Sequence, residues 1–326
     1  MSFDFDAAVQ APFRMQPGLR RLADGVPHLT PAAPGSRHQR EKLAVLSRFW
    51  PQALLVHGGF DETAALHALL AHAATEHPQT LQWDGRSATA LGVCIGPQAE
   101  IQTLQPGRFG QGDEVGRCLA GLPPRWRLAG LLALAFEDDL ALVRGADASI
   151  PWLAVALPSH WAPEEKIGRH FAAVHAPVAD NRLLLAASDS LMRLVTSGER
   201  WERFVWTITG HPRLHAHPDR VDPQRFAGAA DPEALSGLAW WRTERQSFIP
   251  LPALPGHAVF TIRIAVTPLR EALADAQRAR QVHDALASMS DEVISYRGLR
   301  EVRPALLAWL SGRAQPAGPA GAERGG

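Results

Sequence analysis

Residues 237–248, GLAWWRTERQSF, and 258–266, AVFTIRIAV, decide the fold between them. In the second stretch the odd–even pattern puts Ala258, Phe260, Ile262, Ile264 and Val266 on one face, with Thr261 and Arg263 on the other. In the first, the same alternation groups Arg245 with Trp241 and Thr243, and Glu244 with Trp240 and Arg242. IPLPALPG at 249–256 is long enough for a wide hairpin loop, so the two stretches are expected to pair as antiparallel strands.

Working upstream, RLAGLLALAF, DLALVRG and PWLAVALPS between 127 and 157 are short apolar runs broken by acidic or turn residues. Three strands are the simplest reading, with a buried helix as the alternative for the first. APEEKIGRHFAAVH follows as a predicted helix over 163–173, ending before Pro177. Further helices are expected at 41–50, 61–74 and 113–122. Residues 23–37 and 96–112 are expected as surface connections, and 210–236 as irregular chain. Downstream, Leu269, Leu273, Ala276, Ala279, Val282, Leu286 and Met289 mark one apolar helical stripe, and another helix is expected at 304–311. Strands interrupted by helices, with a helical cap at the C-terminal side, predict an α+β fold: one domain over 1–312 and a flexible tail over 313–326.

The balance of 33 basic and 33 acidic residues argues against a nucleic-acid binder. No run of about eighteen uncharged apolar residues occurs, as a membrane span would need. The opening carries Asp4 and Asp6 where a secretion signal would be basic, so a cytoplasmic location is expected. Cys94 and Cys118 are the only cysteines and form no CxxC pair for zinc or an iron–sulfur cluster, and neither GxGxxG nor GxxxxGK[ST] is present.

Several residues could carry chemistry, each with a structural reading beside the functional one. His175, between a predicted helix end and Pro177, is either an iron ligand or acid–base group, or a packed or capping histidine. His211, His215 and His217 in HPRLHAH would make a zinc site if they converged, or a solvated loop if they did not. Glu244, Arg245 and Arg263 interrupt apolar strands, where a charge must face water, pair internally or meet a ligand. Arg14, Glu137, Asp138, Asp139 and Lys166 are weaker candidates, with Asp138–Asp139 expected in a turn between strands. Trp126, Trp152, Trp161, Trp201, Trp206, Trp240 and Trp241 either line a flat cofactor or fill the core.

Five strings, in order, resemble the haem-dependent oxidative N-demethylase family: PFRMQPGLRRL (12–22), FEDDLALV (136–143), PSHWAPEEKIGRHFAAVHAPV (158–178), WWRTERQSFIPLP (240–252) and VFTIRIAVTPL (259–269). The resemblance implies a PAS-like antiparallel sheet core elaborated with helices and binding haem b. It also implies dioxygen-dependent demethylation of a small N-methylated secondary amine such as dimethylamine, with release of formaldehyde. Electrons would come from a separate reductase, and a folate-linked partner would accept the formaldehyde. Under this resemblance His175 is the candidate axial ligand, with His170 as competitor; Arg245 and Arg263 are candidate cofactor-binding residues and Glu244 the candidate catalytic carboxylate. Val205, in RFVWTI at 203–208, stands where the family pattern is expected to carry asparagine. Two other functions remain open: a non-catalytic haem or small-molecule sensor, and a metal-assisted hydrolase built on HPRLHAH.

Overall fold

The computed structural model describes residues 3–221, 226 and 231–314. Strands run in chain order as β1 (Arg20–Arg21), β2 (Leu54–Val56), β3 (Leu81–Trp83), β4 (Ala88–Ala90), β5 (Val93–Ile95), β6 (Ile101–Thr103), β7 (Asp139–Arg144), β8 (Ser149–Ala154), β9 (Trp201–Thr209), β10 (Trp240–Pro250) and β11 (His257–Pro268). The central sheet has seven strands in the order β1-β9-β10-β11-β7-β8-β2, every neighbouring pair antiparallel. A four-stranded meander, β3-β4-β5-β6, forms a separate sheet. The fold is α+β, and the β10–β11 pair at the sheet's centre is the hairpin expected from the sequence, in register from Trp240↔Pro268 to Pro250↔Ala258. Gly256 closes its loop in the left-handed region, φ +75°, which a residue without Cβ adopts freely.

One face of the sheet is covered by the helices Arg37–Ala53, Thr63–Glu76 and Arg127–Ala135, whose Leu46, Leu69, Leu70, Leu131 and Leu132 join the main core. The C-terminal helices Ala276–Ala287, Asp291–Tyr296 and Arg303–Ala314 form the expected cap, packing Val282, Leu286, Ile294 and Leu306 against Trp206, Ile208 and Trp241.

Five local expectations are corrected. RLAGLLALAF takes the second of its two readings, a buried helix in place of a strand: Arg127–Ala135 is helical and buried from Ala129 onward on all sides. Such a helix has no polar stripe to betray its period, while its Leu and Ala content favours the helix. The helix expected over 163–173 is a single 3₁₀ turn, Pro163–Glu165, followed by a separate helix, Phe171–His175. Gly168 breaks them apart, with φ +70° and its Cα so close to the His57 ring that a Cβ would lie 2.0 Å from Cδ2. The 269–289 stripe is two helices, Leu269–Ala272 and Ala276–Ala287; Asp275 caps the second by accepting the Arg278 N–H at 2.9 Å. Residues 23–37 do not stay on the surface, for His28 and Leu29 are buried. Within 210–236 a helix, Pro232–Leu238, follows its Asp231 cap. Of the predicted tail, Arg313 and Ala314 close the last helix and 315–326 lie outside the described residues.

Candidate functional site

Strand register sorts the candidate residues by face. Directly opposed residues in an antiparallel pair share a face, and successive residues alternate. Glu244 lies between Val205 on β9 and Ile264 on β11, and Gln246 between Arg203 and Ile262. Arg245 lies between Phe204 and Arg263. Arg203, Val205, Glu244 and Gln246 therefore occupy one face, and Arg245 and Arg263 the other.

The Glu244 face is bounded at one end by the short helix Phe171–His175 and the helix Ser188–Val195, whose Phe171, Met192 and Val195 cluster with Trp201, Phe248 and Phe260. At the other end Arg242, only 1% exposed, anchors two loops: it donates to Ser159 Oγ at 2.8 Å and to the carbonyls of Arg213 (2.9 Å) and Leu214 (2.7 Å). His160 there has φ +63°, a conformation that costs a side-chain-bearing residue energy, and its ring meets that of His211 edge-on at 5.2 Å.

His175 closes its helix with Nδ1 2.9 Å from the Phe171 carbonyl oxygen, so Nδ1 carries the hydrogen and donates, and the ring lies 4.0 Å from that of Phe171. Nε2 is left as the lone-pair nitrogen, with no hydrogen bond recorded to it among the described residues. Asn181 fixes the helix end by donating to the carbonyls of His175 (3.1 Å) and Ala176 (2.9 Å). Burial pushes the His175 imidazole down to about 4, and the positive charges of Arg203 and Lys166 add to this against the Phe171 bond, so the ring is neutral at physiological pH. His170 is differently placed. It caps the helix, its Nδ1 accepting the Ala172 N–H at 3.1 Å, while Nε2 lies 3.2 Å from Asp189 on the surface.

Arg203 holds a buried Nε with no hydrogen-bond partner. Burial lowers its guanidinium from the ordinary arginine value, opposed by the Glu244 carboxylate. Glu244 accepts from Gln246 Nε2 at 2.6 Å. Tyr296 is half-exposed, and burial together with the Glu244 charge raises its phenol, against the pull of Arg297.

The opposite face is closed upon itself. Arg245 Nε lies 3.1 Å from Glu202, and its terminal nitrogens donate to the carbonyls of His28 (3.2 Å) and Pro27 (2.9 Å). Arg263 Nε donates to Glu137 at 2.7 Å. At the start of β7, Asp139 falls by register with Ile262 and Gln246, and it too is paired: Lys42, fully buried, reaches its Oδ1 at 3.1 Å and the carbonyls of Phe136 and Asp138. Asp138 and Asp139 are thus interior residues, each 1% exposed, and not a turn. Lys166 donates to the Val174 carbonyl at 3.3 Å instead of pairing with Glu164 or Glu165, and Arg14 is exposed.

HPRLHAH does not gather one ligand set. His215 Nδ1 is bound to the Ala156 carbonyl at 2.7 Å, His217 Nε2 to Glu164 at 3.1 Å, and His211 packs on His160. Trp126, Trp152, Trp206 and Trp241 are buried core residues, with Trp206 and Trp241 stacked at 4.8 Å. A cavity of about 290 Å³ lies between the helices Arg37–Ala53 and Glu114–Ala120, lined by Leu43, Leu46, Ser47 and Cys118, with no imidazole on its wall.

Arg203 was the residue that sequence reasoning missed. Its only signal is alternation within RFVWTI, and alternation becomes informative only once the β9–β10 register sets Arg203 beside Gln246 and away from Arg245. A neutral imidazole with one nitrogen held by a carbonyl and the other available is a donor suited to haem iron, and an orphaned guanidinium suits a propionate. The residues of this face therefore fit haem on an α+β fold.

The chain belongs, more narrowly, to the haem-dependent oxidative N-demethylase, alpha subunit-like family, whose profile matches residues 123–307, more than half of its length. It is thus a member of an enzyme family with a haem-dependent oxidative reaction. The matched span holds β7–β11, His175, Arg203 and Glu244. No helix among the described residues is long and apolar enough to cross a membrane.

Proposed function

We propose that the chain is the haem-binding catalytic component of an oxidative demethylase acting on a small N-methylated secondary amine of the dimethylamine type, releasing formaldehyde, and that its sheet and helices form a PAS-like haem core. The observation carrying this reading is the neutral His175, its Nε2 available, beside the unsatisfied Arg203 on the face that carries Glu244. His175 Nε2 would hold the haem iron, with the Phe171 carbonyl fixing the ring and tautomer. Arg203 would hold a propionate, a role the sequence suggested for Arg245 and Arg263, whose guanidiniums lie across the sheet beside Glu202 and Glu137.

When bound, haem supplies the dioxygen activation that oxidises a methyl C–H. The chain's own part is binding and proton handling. Glu244 accepts a hydrogen bond from the amine N–H, orients the methyl group and takes up the proton that the ammonium form must release; Gln246, donating at 2.6 Å, holds that carboxylate. Overall, the N-methyl amine, dioxygen, two electrons and two protons give the N-hydroxymethyl amine and water; the hydroxymethyl adduct then separates into the shorter amine and formaldehyde. The electrons come from a separate reductase, for the sequence has no dinucleotide fingerprint and no cysteine cluster. A folate-linked protein is the proposed formaldehyde acceptor. The proposed cofactor is haem b, as the family resemblance implies.

The test is haem reconstitution followed by absorption spectroscopy. One haem per chain with a Soret band is expected, shifted or lost in His175→Ala and unchanged in His170→Ala. No stoichiometric haem, or the reverse order of the two variants, overturns the reading.

A further inference from the structure

On the other side of the sheet a second cluster of imidazoles surrounds one carboxylate. His72 and Glu76 are one turn apart at the end of the helix Thr63–Glu76, and His28 comes from the buried connection that precedes the helix Arg37–Ala53. His28 Nδ1 lies 3.2 Å from Glu76 Oε1, and His72 Nε2 lies 3.5 Å from the same oxygen. All three ligand atoms fall within 4.8 Å of one another. His72 Nε2 is buried and makes no hydrogen bond, although it faces the carboxylate.

We infer that His28 Nδ1, His72 Nε2 and Glu76 Oε1 form a binding site for a zinc-type divalent cation, distinct from the His175 face. A tetrahedron with metal–ligand bonds of about 2.0–2.2 Å has edges of roughly 3.3–3.6 Å, close to the 3.2 and 3.5 Å separations here. Two imidazoles and a carboxylate are a common ligand set for zinc, leaving the fourth position to water. The carboxylate is already aimed: Oε1 accepts the His28 N–H at 2.8 Å and Oε2 the Leu29 N–H at 2.9 Å, the outer contacts that fix a metal-binding carboxylate. Burial lowers the His28 imidazole from its ordinary value, against the pull of Glu76. Against the cost of burial, its imidazole and backbone N–H neighbours hold Glu76 ionised.

Arg200 is the competitor. Its Nε donates to His28 Nε2 at 3.4 Å, while its other nitrogens hold the carbonyls of Ala23 and Val26. Metal on Nδ1 leaves Nε2 protonated, so this one contact must be released. The ion would tie the connection carrying Pro27 and His28, whose carbonyls grip Arg245, to the helix Thr63–Glu76. Its effect is on stability, not on the reaction.

The experiment is calorimetric titration of chelator-stripped full-length protein with zinc chloride, paired with thermal unfolding. One zinc per chain and a raised Tm are expected. His72→Ala, on a half-buried helix position outside the backbone hydrogen bonds, should weaken zinc by about 100-fold and abolish the Tm shift. Glu76→Gln should weaken it similarly, whereas His217→Ala, in the separate Glu164–His217–Asp219 cluster, should leave it unchanged. The titration repeated on His175→Ala should give the same affinity, which separates this site from the haem reading. No stoichiometric zinc, affinity kept within threefold in His72→Ala, or loss only in His217→Ala overturns the proposal.

Discussion

The two faces of the central sheet treat their strand charges differently. On the face of Arg245 and Arg263, each cation meets a carboxylate, at 3.1 and 2.7 Å respectively. On the face of Arg203 and Glu244, a guanidinium nitrogen is buried with nothing to bind, and an imidazole keeps one nitrogen available. A charge that is compensated within the chain holds the fold. A charge that the fold carries at a cost, uncompensated, is where a ligand would recover the energy.

The largest effect that would break this comparison lies among the compensated charges. Removing one partner of a buried pair strands the other, at about 3–5 kcal/mol. Lys42→Met, which leaves Asp139 and two carbonyls without their cation, is expected to destabilise by that amount in urea unfolding. Arg245→Met, which leaves two carbonyls unpaired but Glu202 still bound by Arg20 at 2.9 Å, should cost less. A loss below about 1 kcal/mol in Lys42→Met would mean that this pair does not hold the fold.

Next is Asp138, whose carboxyl burial raises to about 6 against the Thr30 N–H and the charges of Lys42, Arg263 and Arg245. Its folded pKa exceeds the unfolded value near 3.9, so the folded state binds the extra proton. The stabilisation this brings is full below about pH 4 and is lost as pH rises through about 6. Asp138→Asn keeps an acceptor for the Thr30 N–H and removes the titration. At pH 8 it should be more stable than the parent by up to about 3 kcal/mol, and equal to it at pH 4. Equal stability of parent and variant at both pH values would show that Asp138 does not titrate in that window.

Arg203→Met should do the reverse of Lys42→Met. Replacing this partly buried cation, whose Nε has no partner, by an apolar chain of similar length is expected to change stability by less than about 1 kcal/mol, in either direction. It should nonetheless weaken haem retention, measured as haem lost to apomyoglobin, by about tenfold or more. A large stability loss with unchanged haem retention would place Arg203 with the structural cations.

The sequence carried more of the sheet than of the site. The β10–β11 hairpin was legible because an alternating pattern with a long Pro- and Gly-containing loop has few alternative structures. The helix Arg127–Ala135 was ambiguous because a fully buried helix and a fully buried strand present the same unbroken apolar run. Alternation correctly split Glu244 from Arg245. It could not say which of the two faces would be sealed, since that depends on Glu202 and Glu137, distant in sequence, arriving on the Arg245 side. Arg203 was hidden for the same reason: register between β9 and β10 is a long-range fact. Lys42 was passed over because a lone lysine in a helical stretch ordinarily faces water, and here it is fully buried.

The smallest expected effect tests the open face most finely. Val205 lies directly opposite Glu244, where an asparagine is expected from the family pattern. Valine offers the carboxylate no hydrogen bond, so Gln246 is the one described donor to it. Val205→Asn places an amide within cross-strand reach, about 4.5–5.5 Å between Cβ atoms, on a surface already half-buried. β-Propensity is given up for a hydrogen bond, so stability should move by less than about 1 kcal/mol. The bond, however, would fix the direction of the carboxylate, lowering the KM for the amine by up to about threefold with kcat unchanged. If KM is unmoved while Glu244→Gln still abolishes turnover, position 205 does not orient the carboxylate.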